Sequence, residues 1–463
     1  MAILNTGCLA STIEADVSGV TTGYAADCFI ILAAAVDAAT SNRCVVAPNT
    51  GCLNSLHPTQ TIPEGQIVFV EDIGIPVIAA SGKWIGFDNR VVRRDAPITR
   101  QMYSWGCNNF GQLADTSTLR LSPGTITGGG TTWCALSAGS LHAAAIKTDG
   151  TLWTWGYNAQ GQLGNGNTTS RSSPGTVSGG GTNWCAVSAG RLHTIAIKTD
   201  GTLWTWGSNG QGRLGTGDTT NRSSPGTVSG GGTNWCCADA GTSHTIAVKT
   251  DGTLWTWGYN LCGQLGDGTT TSRTSPVTVS GGGTTWRIAS AGSGHSAAIK
   301  TDGTLWTWGG NLSGDLGNGN TTSRSSPGTV SGGGTNWCAI SAGNVRTAAI
   351  KTDGTLWTWG ANSGGQLGDG TTTNRSSPVT VFNGGTTWCA VSAGDFSGCH
   401  TVGLKIDGTL WSWGNNAVGQ IGDTTIIGRC CPTLVAGSET TCSGGTTWCA
   451  ASAGSFFTIG LRE

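Results

Sequence analysis

The chain contains 463 residues, of which 78 are glycine, and only 11% of its residues are charged. The formal net charge is −1, which excludes the basic surface that nucleic acids and anionic membranes require, so we expect neither as a partner. The 17 cysteines do not fall in the paired spacing of a zinc framework, which argues against a zinc site.

The first predicted elements form a small α+β domain over residues 1–100. An Ala-rich helix is predicted at about residues 25–40, and it is apolar nearly all round, which is typical of a helix buried in an interface. Three strand-like runs, IVFVE, PVIAA and KWIGF, follow within about residues 61–95 and are separated by Gly and Pro. Because so short a piece cannot bury the helix by itself, we expect residues 1–100 to mediate assembly into a homo-oligomer such as a trimer.

The first residues of the sequence do not match a secretory signal. Its first residues, MAILNTGCLAST, lack the basic region and apolar core of a secretory signal, and the apolar run from Cys28 is too short to span a bilayer. We therefore expect a soluble protein that is synthesised in a cytoplasm and does not insert into a membrane.

From Tyr103 to Glu463 the sequence repeats one pattern seven times, with a period of about 51 residues. A period of this length is typical of architectures in which each unit is one supersecondary element that stacks on its neighbours. The Trp-Gly pairs that mark the units begin at Trp105, Trp155, Trp206, Trp257, Trp308, Trp359 and Trp413.

Each unit predicts four strands. The runs HTIAIKT and TLWTWG are separated by Asp-Gly, the strongest short-range signal for a β-hairpin. A Pro-led run and a run such as NWCAVSAG supply the other two strands, with a glycine triplet between them. Both faces of these strands carry packing residues, so each sheet needs a neighbour on either side. Radial stacking of seven four-stranded blades supplies those neighbours.

The ends of the repeat region predict how the ring closes. The first unit begins at Tyr103 without the strand that precedes Asp-Gly elsewhere, whereas the chain finishes with SFFTIGLRE, which matches the missing strand. We therefore expect this final strand to pair with the strand at Tyr103.

The motif WGxNxxGQLGDG, the Pro-led strand and SAGxxHTxAxKTDGTLW resemble the repeat of the RCC1-like seven-bladed β-propellers over residues 101–463. The resemblance implies an all-β propeller that follows the N-terminal α+β domain. Members of this family have unrelated functions, so the fold does not fix the activity.

The segment TIPEGQIVFVEDIGIPVIAASGKWIGFDNRVVRRD from Thr61 resembles the small β module that precedes variable domains in tail and other virion proteins of tailed bacteriophages, particularly those of cyanobacteria. The resemblance covers about 35 residues and implies attachment to a particle or to sister chains.

Recurring histidines and arginines are candidates for chemistry. A ring of imidazoles would suit a metal ion, but a hydrogen-bonded position at a strand end is favoured because two blades have Arg346 and Phe457 there. The arginines, which precede each Pro-led strand, would suit acidic sugars, but a structural bond between blades is favoured. The histidines are His142, His193, His244, His295 and His400, and the arginines are Arg120, Arg171, Arg222, Arg273, Arg324, Arg375 and Arg429.

Cysteines and short motifs give no catalytic site. One cysteine follows the repeated Trp in most units, which predicts a small buried strand residue, and the pairs Cys236-Cys237 and Cys430-Cys431, with Cys399 and Cys442, leave several disulfide pairings open. The GDGTTT loops lack the alternating carboxylates of a calcium site. No nucleophile elbow, P-loop or HExxH motif is present, so we expect no enzyme, no cofactor and no bound metal.

The two faces of the predicted disc differ in how much the repeats vary. The Asp-Gly and glycine-triplet turns are nearly constant, whereas the loops after Trp-Gly and after Ser-Ala-Gly change from blade to blade. A rigid scaffold with diverse loops on one face is the usual layout of a recognition surface. The candidate partner-binding residues on this face are Phe110, Asn158, Gln160, Asn209, Tyr259, Asn260, Asp395, Phe396 and Cys399.

These observations lead to one hypothesis and two alternatives. The hypothesis is a bacteriophage virion protein, a tail fibre or peripheral tail component, that is synthesised in the host cytoplasm and located in the particle. Residues 1–100 would contact other virion proteins, and the propeller would contact a host-surface glycan or protein. The first alternative is a decoration or baseplate protein with no receptor role. The second is a cellular RCC1-like regulator or inhibitor that binds a soluble protein.

Overall fold

The structure, a computed structural model, describes residues 99–394, 399–438 and 447–463, together with five short strands nearer the N-terminus. Four of these pair in one sheet, in which β2 is parallel to β3, and β3, β4 and β5 are antiparallel. Three of the four lie at the predicted runs, whereas the helix predicted at residues 25–40 lies outside the described residues. The five are β1 (Ile3–Leu4), β2 (Val45–Ala47), β3 (Ile67–Val70), β4 (Ile75–Ala80) and β5 (Lys83–Gly86).

The predicted all-β, seven-bladed propeller is confirmed: the described part of residues 101–463 folds into seven blades, each with four antiparallel propeller strands. The first strand of each blade lies innermost and the fourth outermost. Blades I to VI follow one another along the chain, and blade VII combines strands from both ends of the repeat region.

The bounds of the propeller strands are as follows. Those of the first half are β6 (Gln101–Cys107), β7 (Leu119–Thr125), β8 (Trp133–Ala138), β9 (His142–Lys147), β10 (Leu152–Gly156), β11 (Arg171–Thr176), β12 (Trp184–Ala189), β13 (His193–Lys198), β14 (Leu203–Gly207), β15 (Arg222–Thr227), β16 (Trp235–Ala240), β17 (His244–Lys249), β18 (Leu254–Gly258) and β19 (Arg273–Thr278). Those of the second half are β20 (Trp286–Ala291), β21 (His295–Lys300), β22 (Leu305–Gly309), β23 (Arg324–Thr329), β24 (Trp337–Ala342), β25 (Arg346–Lys351), β26 (Leu356–Gly360), β27 (Arg375–Thr380), β28 (Trp388–Ala393), β29 (His400–Lys405), β30 (Leu410–Gly414), β31 (Arg429–Leu434), β32 (Trp448–Ala453) and β33 (Phe457–Arg462).

Blade I is β8–β11, and each following group of four strands makes the next blade up to blade VI, which is β28–β31. Blade VII is β32, β33, β6 and β7, and β1 pairs with the inner strand β32. In blade VII, β33 pairs with β6 over six residues, from Phe457 opposite Gly106 to Arg462 opposite Gln101. The final strand therefore occupies the place that the sequence predicts for it.

The same hydrogen bonds and the same glycine conformation form the Asp-Gly turn of every complete hairpin, and blade II is an example. Asp200 Oδ1 accepts hydrogen bonds from the Thr202 amide at 2.9 Å and from the Thr202 hydroxyl at 2.6 Å. The following Gly201 has φ +74°, and a Cβ there would clash with the carbonyl oxygen of Thr233. Both the backbone conformation and the close approach of the next blade therefore require glycine.

The hydrophobic core lies between blades. Between blades I and II, Trp184 and Trp206 of blade II pack with Ile146, Leu152 and Val177 of blade I. The Trp206 side chain is fully buried, and its Nε1 donates to the carbonyl oxygen of Gln162 in blade I at 2.9 Å. Each blade thus buries its tryptophans against its neighbour, which is why a single blade cannot be stable by itself.

The strand register separates the two faces of the disc. His193 pairs with Gly207, so the start of the second strand and the end of the third lie at one face, and Ile197 and Leu203 pair near the other. We call the face that carries the loops after Ser-Ala-Gly and after Trp-Gly the variable face. The opposite face, which carries the Asp-Gly turns and the connections between blades, is the constant face.

Candidate recognition surface

Each long loop of the variable face is organised around a buried asparagine. In blade III, Asn260 Oδ1 accepts the Leu265 amide at 2.8 Å, and its Nδ2 donates to Asp267 Oδ1 at 3.2 Å and to the Thr269 and Thr271 carbonyl oxygens at 3.1 Å each. The side chain is fully buried. It supplies hydrogen-bond partners to backbone groups of the loop that would otherwise have none. The same arrangement is made by Asn158 and Asn209.

This geometry corrects three of the predicted partner-binding residues. Asn158, Asn209 and Asn260 are each 0% exposed, so their amides hold the loop and are not presented to a partner. Sequence reasoning placed them on the surface because they are polar residues in a long loop. The signal that could have found their role is repetition, since an asparagine occupies this position in all seven variable loops: Asn108, Asn158, Asn209, Asn260, Asn311, Asn362 and Asn416.

The recurring histidines link neighbouring blades beneath these loops. His295 Nε2 lies 2.9 Å from Thr347 Oγ1, and that hydroxyl donates its proton to the Asp315 carbonyl oxygen at 2.9 Å. The hydroxyl must therefore accept from the imidazole, which fixes the tautomer with the proton on Nε2. Burial, together with the nearby positive charge of Arg346, lowers the pKa of His295 to about 4.

The prediction of hydrogen-bonded strand-end histidines is thereby confirmed. His142, His193, His244 and His400 make the same contact with a hydroxyl of the next blade. Burial is the first cause of a lowered pKa in each, to about 3 for His142, His244 and His400. These rings are neutral at pH 7, and their Nε2–H groups donate hydrogen bonds that link the blades.

Three charged residues interrupt these otherwise repeated positions. Arg346 replaces a histidine, and its Nη2 donates to the carbonyl oxygens of Gly394 at 3.1 Å and His400 at 2.6 Å. Arg213 and Asp315 each replace a glutamine of the GQLG motif. Burial lowers the pKa of Arg213 to about 10 and raises that of Asp315 to about 7. Asp315 Oδ1 has no hydrogen-bond partner within the described residues.

The outer-strand arginines bond within their own blade, so the predicted bond between blades is wrong. In blade III, Arg273 Nε and Nη2 donate to Asp267 Oδ2 at 2.9 and 2.8 Å. Burial tends to raise the pKa of Asp267, but hydrogen bonds from Thr269 and Arg273 outweigh it and lower the pKa. Where the loop offers no aspartate, as in blade I, Arg171 Nε donates to the Thr154 carbonyl oxygen at 2.9 Å. In both cases the guanidinium bonds to a group of its own blade.

The remaining candidates are partly accessible. Phe110 is 39% exposed, and its ring meets Tyr157 edge-on at 4.8 Å between centroids. Gln160 Oε1 accepts the Asn221 amide of the next blade at 2.7 Å. Tyr259 and Cys399 are half-buried at the same face. Asp395 and Phe396 lie outside the described residues.

Sequence reasoning missed two exposed leucines on the variable face. Leu261 of blade III is 64% exposed and Leu312 of blade IV is 88% exposed, and each directly follows the buried asparagine of its loop. Adjacent Cys262 is exposed and lies against Gly310 of the blade IV loop, so the two loops meet here. The other blades have small or polar residues at the leucine position: Asn109, Ala159, Gly210, Ser363 and Ala417.

The constant face repeats one arrangement of a cation and aromatic rings in its blades. In blade III, the Lys249 ammonium lies 4.7 Å from the Trp235 ring and 4.6 Å from the Trp255 ring. Trp255 Nε1 donates to Thr253 Oγ1 at 2.9 Å, and Asp251 holds Thr253. In blade VII the Arg462 guanidinium takes the place of the lysine. A cation over an indole therefore recurs in all seven blades and stabilises this face.

No cluster of three or more metal-binding side chains is found among the described residues. Within the same part of the chain, no helix is long and apolar enough to cross a membrane. The described cysteines form no disulfide with one another, and Cys442 lies outside them.

Comparison with known proteins identifies relatives of the propeller. A family model described as the RCC1-like domain matches residues 98–397, and models of the Regulator of chromosome condensation (RCC1) repeat match residues 388–420 and 407–461. The ultraviolet-B receptor UVR8 of Arabidopsis thaliana is 32% identical over 305 residues, which are 65% of this chain and 69% of the receptor. The E3 ubiquitin-protein ligase HERC2 of Homo sapiens is 29% identical over 72% of this chain, but the match spans only 7% of HERC2.

Solved structures show the same fold at low sequence identity. Yeast RCC1 (Prp20), in its complex with Kap60, is similar with a TM-score of 0.69 and 17% identity, over 79% of this chain and 89% of that one. Human WBSCR16 is similar with a TM-score of 0.68 and 18% identity, over 79% of this chain and 99% of that one.

Proposed function

The chain belongs to the RCC1-like domain family, and from this premise we propose that it is a non-enzymatic propeller that binds a protein partner through its variable face. The proposal is of the same kind as the known behaviour of yeast RCC1, which has been crystallised with Kap60 and studied for its binding to Gsp1p and histones. It corresponds to the alternative of a cellular regulator or inhibitor.

The observation that carries the proposal is the pair Leu261 and Leu312. Both side chains are more than half exposed, at 64% and 88%, on loops of neighbouring blades that contact each other. Fully burying a leucine contributes about 1.5–3 kcal/mol, so a partner that covers both would gain a useful part of its binding energy from them. Aromatic Phe110 and Tyr259 on the same face add side chains of the kind enriched at protein interfaces.

The virion hypothesis rests on the resemblance of residues 61–95. The relatives reported above are cellular proteins, which favours the regulator or inhibitor over a tail fibre, a decoration protein or a baseplate protein. Attachment and oligomerisation through residues 1–100, a host-surface glycan as ligand and a location in a particle stay predictions.

The test compares exposed apolar residues on the two faces. Leu261→Glu with Leu312→Glu alters the variable face, and Phe382→Glu with Ile406→Glu, at residues that are 51% and 50% exposed, alters the constant face. Partners are captured with the full chain in extracts of its natural source, cross-linked and quantified by mass spectrometry. We expect one partner to bind saturably. The variable-face pair of changes should reduce the captured amount of this partner at least tenfold, and the constant-face pair should leave that amount unchanged.

The opposite pattern, with loss only in the constant-face pair, would show that the wrong face was chosen. Cross-links that map to the variable face but survive both pairs of changes would show that the leucines do not carry the interaction.

A further inference from the structure

Two adjacent cysteines, Cys430 and Cys431, lie on β31, the outer strand of blade VI, away from the leucines of the variable face. Their Sγ atoms are 3.9 Å apart, and both side chains are half-buried. The strand does not need thiols to fold, because four other blades have serine at both positions: Ser172-Ser173, Ser223-Ser224, Ser325-Ser326 and Ser376-Ser377. The thiols are therefore a departure that this blade makes from the repeat.

The separation of the two sulfur atoms suits a shared ion. Two thiolates bound to one tetrahedral ion at about 2.3 Å each lie about 3.8 Å apart. We propose that Cys430 and Cys431 form a two-thiol site for a soft, thiophilic metal or metalloid ion. Soft thiolate ligands select ions of this class over hard cations such as magnesium and calcium.

The neighbouring loop of blade V frames the site without completing it. The Gly370 amide donates to the Cys430 carbonyl oxygen at 2.9 Å, so this loop lies directly against the cysteine pair. Asp369, the residue before Gly370, accepts Arg375 Nε at 2.7 Å and the Thr371 amide and hydroxyl at 3.0 and 2.7 Å. Its carboxylate is thus engaged, and the remaining coordination positions of the ion go to water or to a small external ligand.

A second adjacent pair in the same chain shows why neighbouring cysteines are not sufficient. Cys236 and Cys237 are both buried on the inner strand β16. Cys236 Sγ donates to the Val248 carbonyl oxygen at 3.1 Å, and Cys237 Sγ donates to the Arg287 carbonyl oxygen of the next blade at 3.7 Å. These thiols serve different backbone groups, so this pair serves as the internal control.

The first experiment uses phenylarsine oxide on the full chain kept reduced with a phosphine. In the reaction both S–H bonds break, two As–S bonds form on one arsenic, and the arsenic-bound oxygen leaves with both protons as water. Native mass spectrometry should show one adduct per chain, and peptide mapping should place it on Cys430 and Cys431. The single changes Cys430→Ser and Cys431→Ser should each abolish it, whereas Cys262→Ser should keep it.

The second experiment measures Cd²⁺ binding by calorimetry. The double variant Cys430→Ser/Cys431→Ser restores the RSSP sequence of four other blades, so its fold and melting temperature should match the unaltered chain. We expect one Cd²⁺ per chain at pH 7.5 and at least a tenfold weaker affinity in the double variant. An adduct that persists in the double variant, its absence from the unaltered chain, or equal Cd²⁺ binding by both would overturn the proposal.

Discussion

The two faces of the disc are built from opposite ends of the same strands, yet they keep their repeated residues in different places. On the constant face the repeated cation and the outer indole are half-exposed, as in Lys249 and Trp255. On the variable face the repeated groups are fully buried, as in Asn260 and His295, and most of the differences between blades lie in the side chains above them. A face can therefore vary its surface when a buried polar frame holds the backbone of its loops.

The two faces also differ in which groups titrate near neutral pH. The Asp-Gly turns of the constant face hold aspartates such as Asp200, whose pKa is lowered chiefly by the Thr202 hydroxyl, so they stay ionised above pH 5. The frame of the variable face contains the carboxyl of Asp315, whose pKa is raised to about 7 by burial. It also contains buried imidazoles, which stay neutral in the fold but are protonated below pH 6.5 when the chain unfolds. Stability should therefore depend on pH through one face only.

The largest expected effect is acid destabilisation through the variable face. The folded-state pKa values of the five buried histidines lie below 6.5, so their contribution is present above pH 6.5 and is lost as the pH falls. From pH 7 to pH 5 the four histidines other than His193 together remove about 7 kcal/mol, Asp315 returns about 2 kcal/mol, and the net loss is about 5 kcal/mol. His193 acts in the same direction as the other histidines. Guanidinium unfolding at the two pH values measures this loss in the free energy of unfolding. A loss below about 2 kcal/mol would contradict the assignment of the buried histidines as neutral in the fold.

The next effect comes from Asp315, where Asp315→Gln restores the residue found in other blades. Burial raises the folded-state pKa of Asp315 to about 7. The protonated carboxyl therefore favours the fold fully below pH 3.8, and this contribution to stability is lost as the pH rises through 7. The variant should gain about 4 kcal/mol in the free energy of unfolding at pH 8, and the gain should shrink towards pH 4. A gain that is equal at both pH values would assign it to packing instead.

A smaller effect is expected from Asn260→Ala, which leaves the buried Leu265 amide without its acceptor and frees three other bonds of the loop. We expect a loss of about 3 kcal/mol. Asn109→Ala, at an exposed position in the loop of blade VII, serves as the control and should change the free energy of unfolding by less than about 0.5 kcal/mol. Equal effects of the two changes, measured by urea unfolding, would contradict the buried frame.

The smallest effect belongs to the constant face. Lys249→Met removes the charge between Trp235 and Trp255 and should cost about 1 kcal/mol. Lys249→Arg should restore most of the loss, because Arg462 occupies this place in blade VII. The difference between the two variants, measured at pH 5 and at pH 7, should be the same. If the difference in the free energy of unfolding changed with pH, the constant face would also contribute to the pH dependence of stability, which would contradict the contrast between the two faces.

The propeller could be predicted well from the sequence because the motif of each strand and turn recurs in several repeats. Asp-Gly between two β runs defines a hairpin locally, and the ring closure follows from the strand missing before Tyr103. The histidine role was also predictable, since a metal ring would not tolerate Arg346 and Phe457. These inferences depend on backbone chemistry and counting, which a single sequence supplies.

The candidate site was predicted less well because side-chain burial in long loops depends on contacts that spacing does not show. Asn260 looks exposed until the backbone groups that it satisfies are in place. Arg273 was assigned to the next blade because the fold of its own loop, which brings Asp267 to it, was unknown. Leu261 and Leu312 were overlooked because the search favoured aromatic and amide side chains, although a leucine amid small or polar equivalents was visible in the sequence.

The composite blade VII has a consequence for synthesis. Its inner strands β32 and β33 leave the ribosome after all the other propeller strands, whereas its outer strands β6 and β7 emerge before blades I to VI. Until residue 462 has been translated, β6 has no partner on the side that β33 will occupy, and the flanks of blades I and VI stay open to water. Blades can stack in order during translation, but the nascent chain carries an unpaired edge throughout, and its exposure to other chains ends only with the last strand.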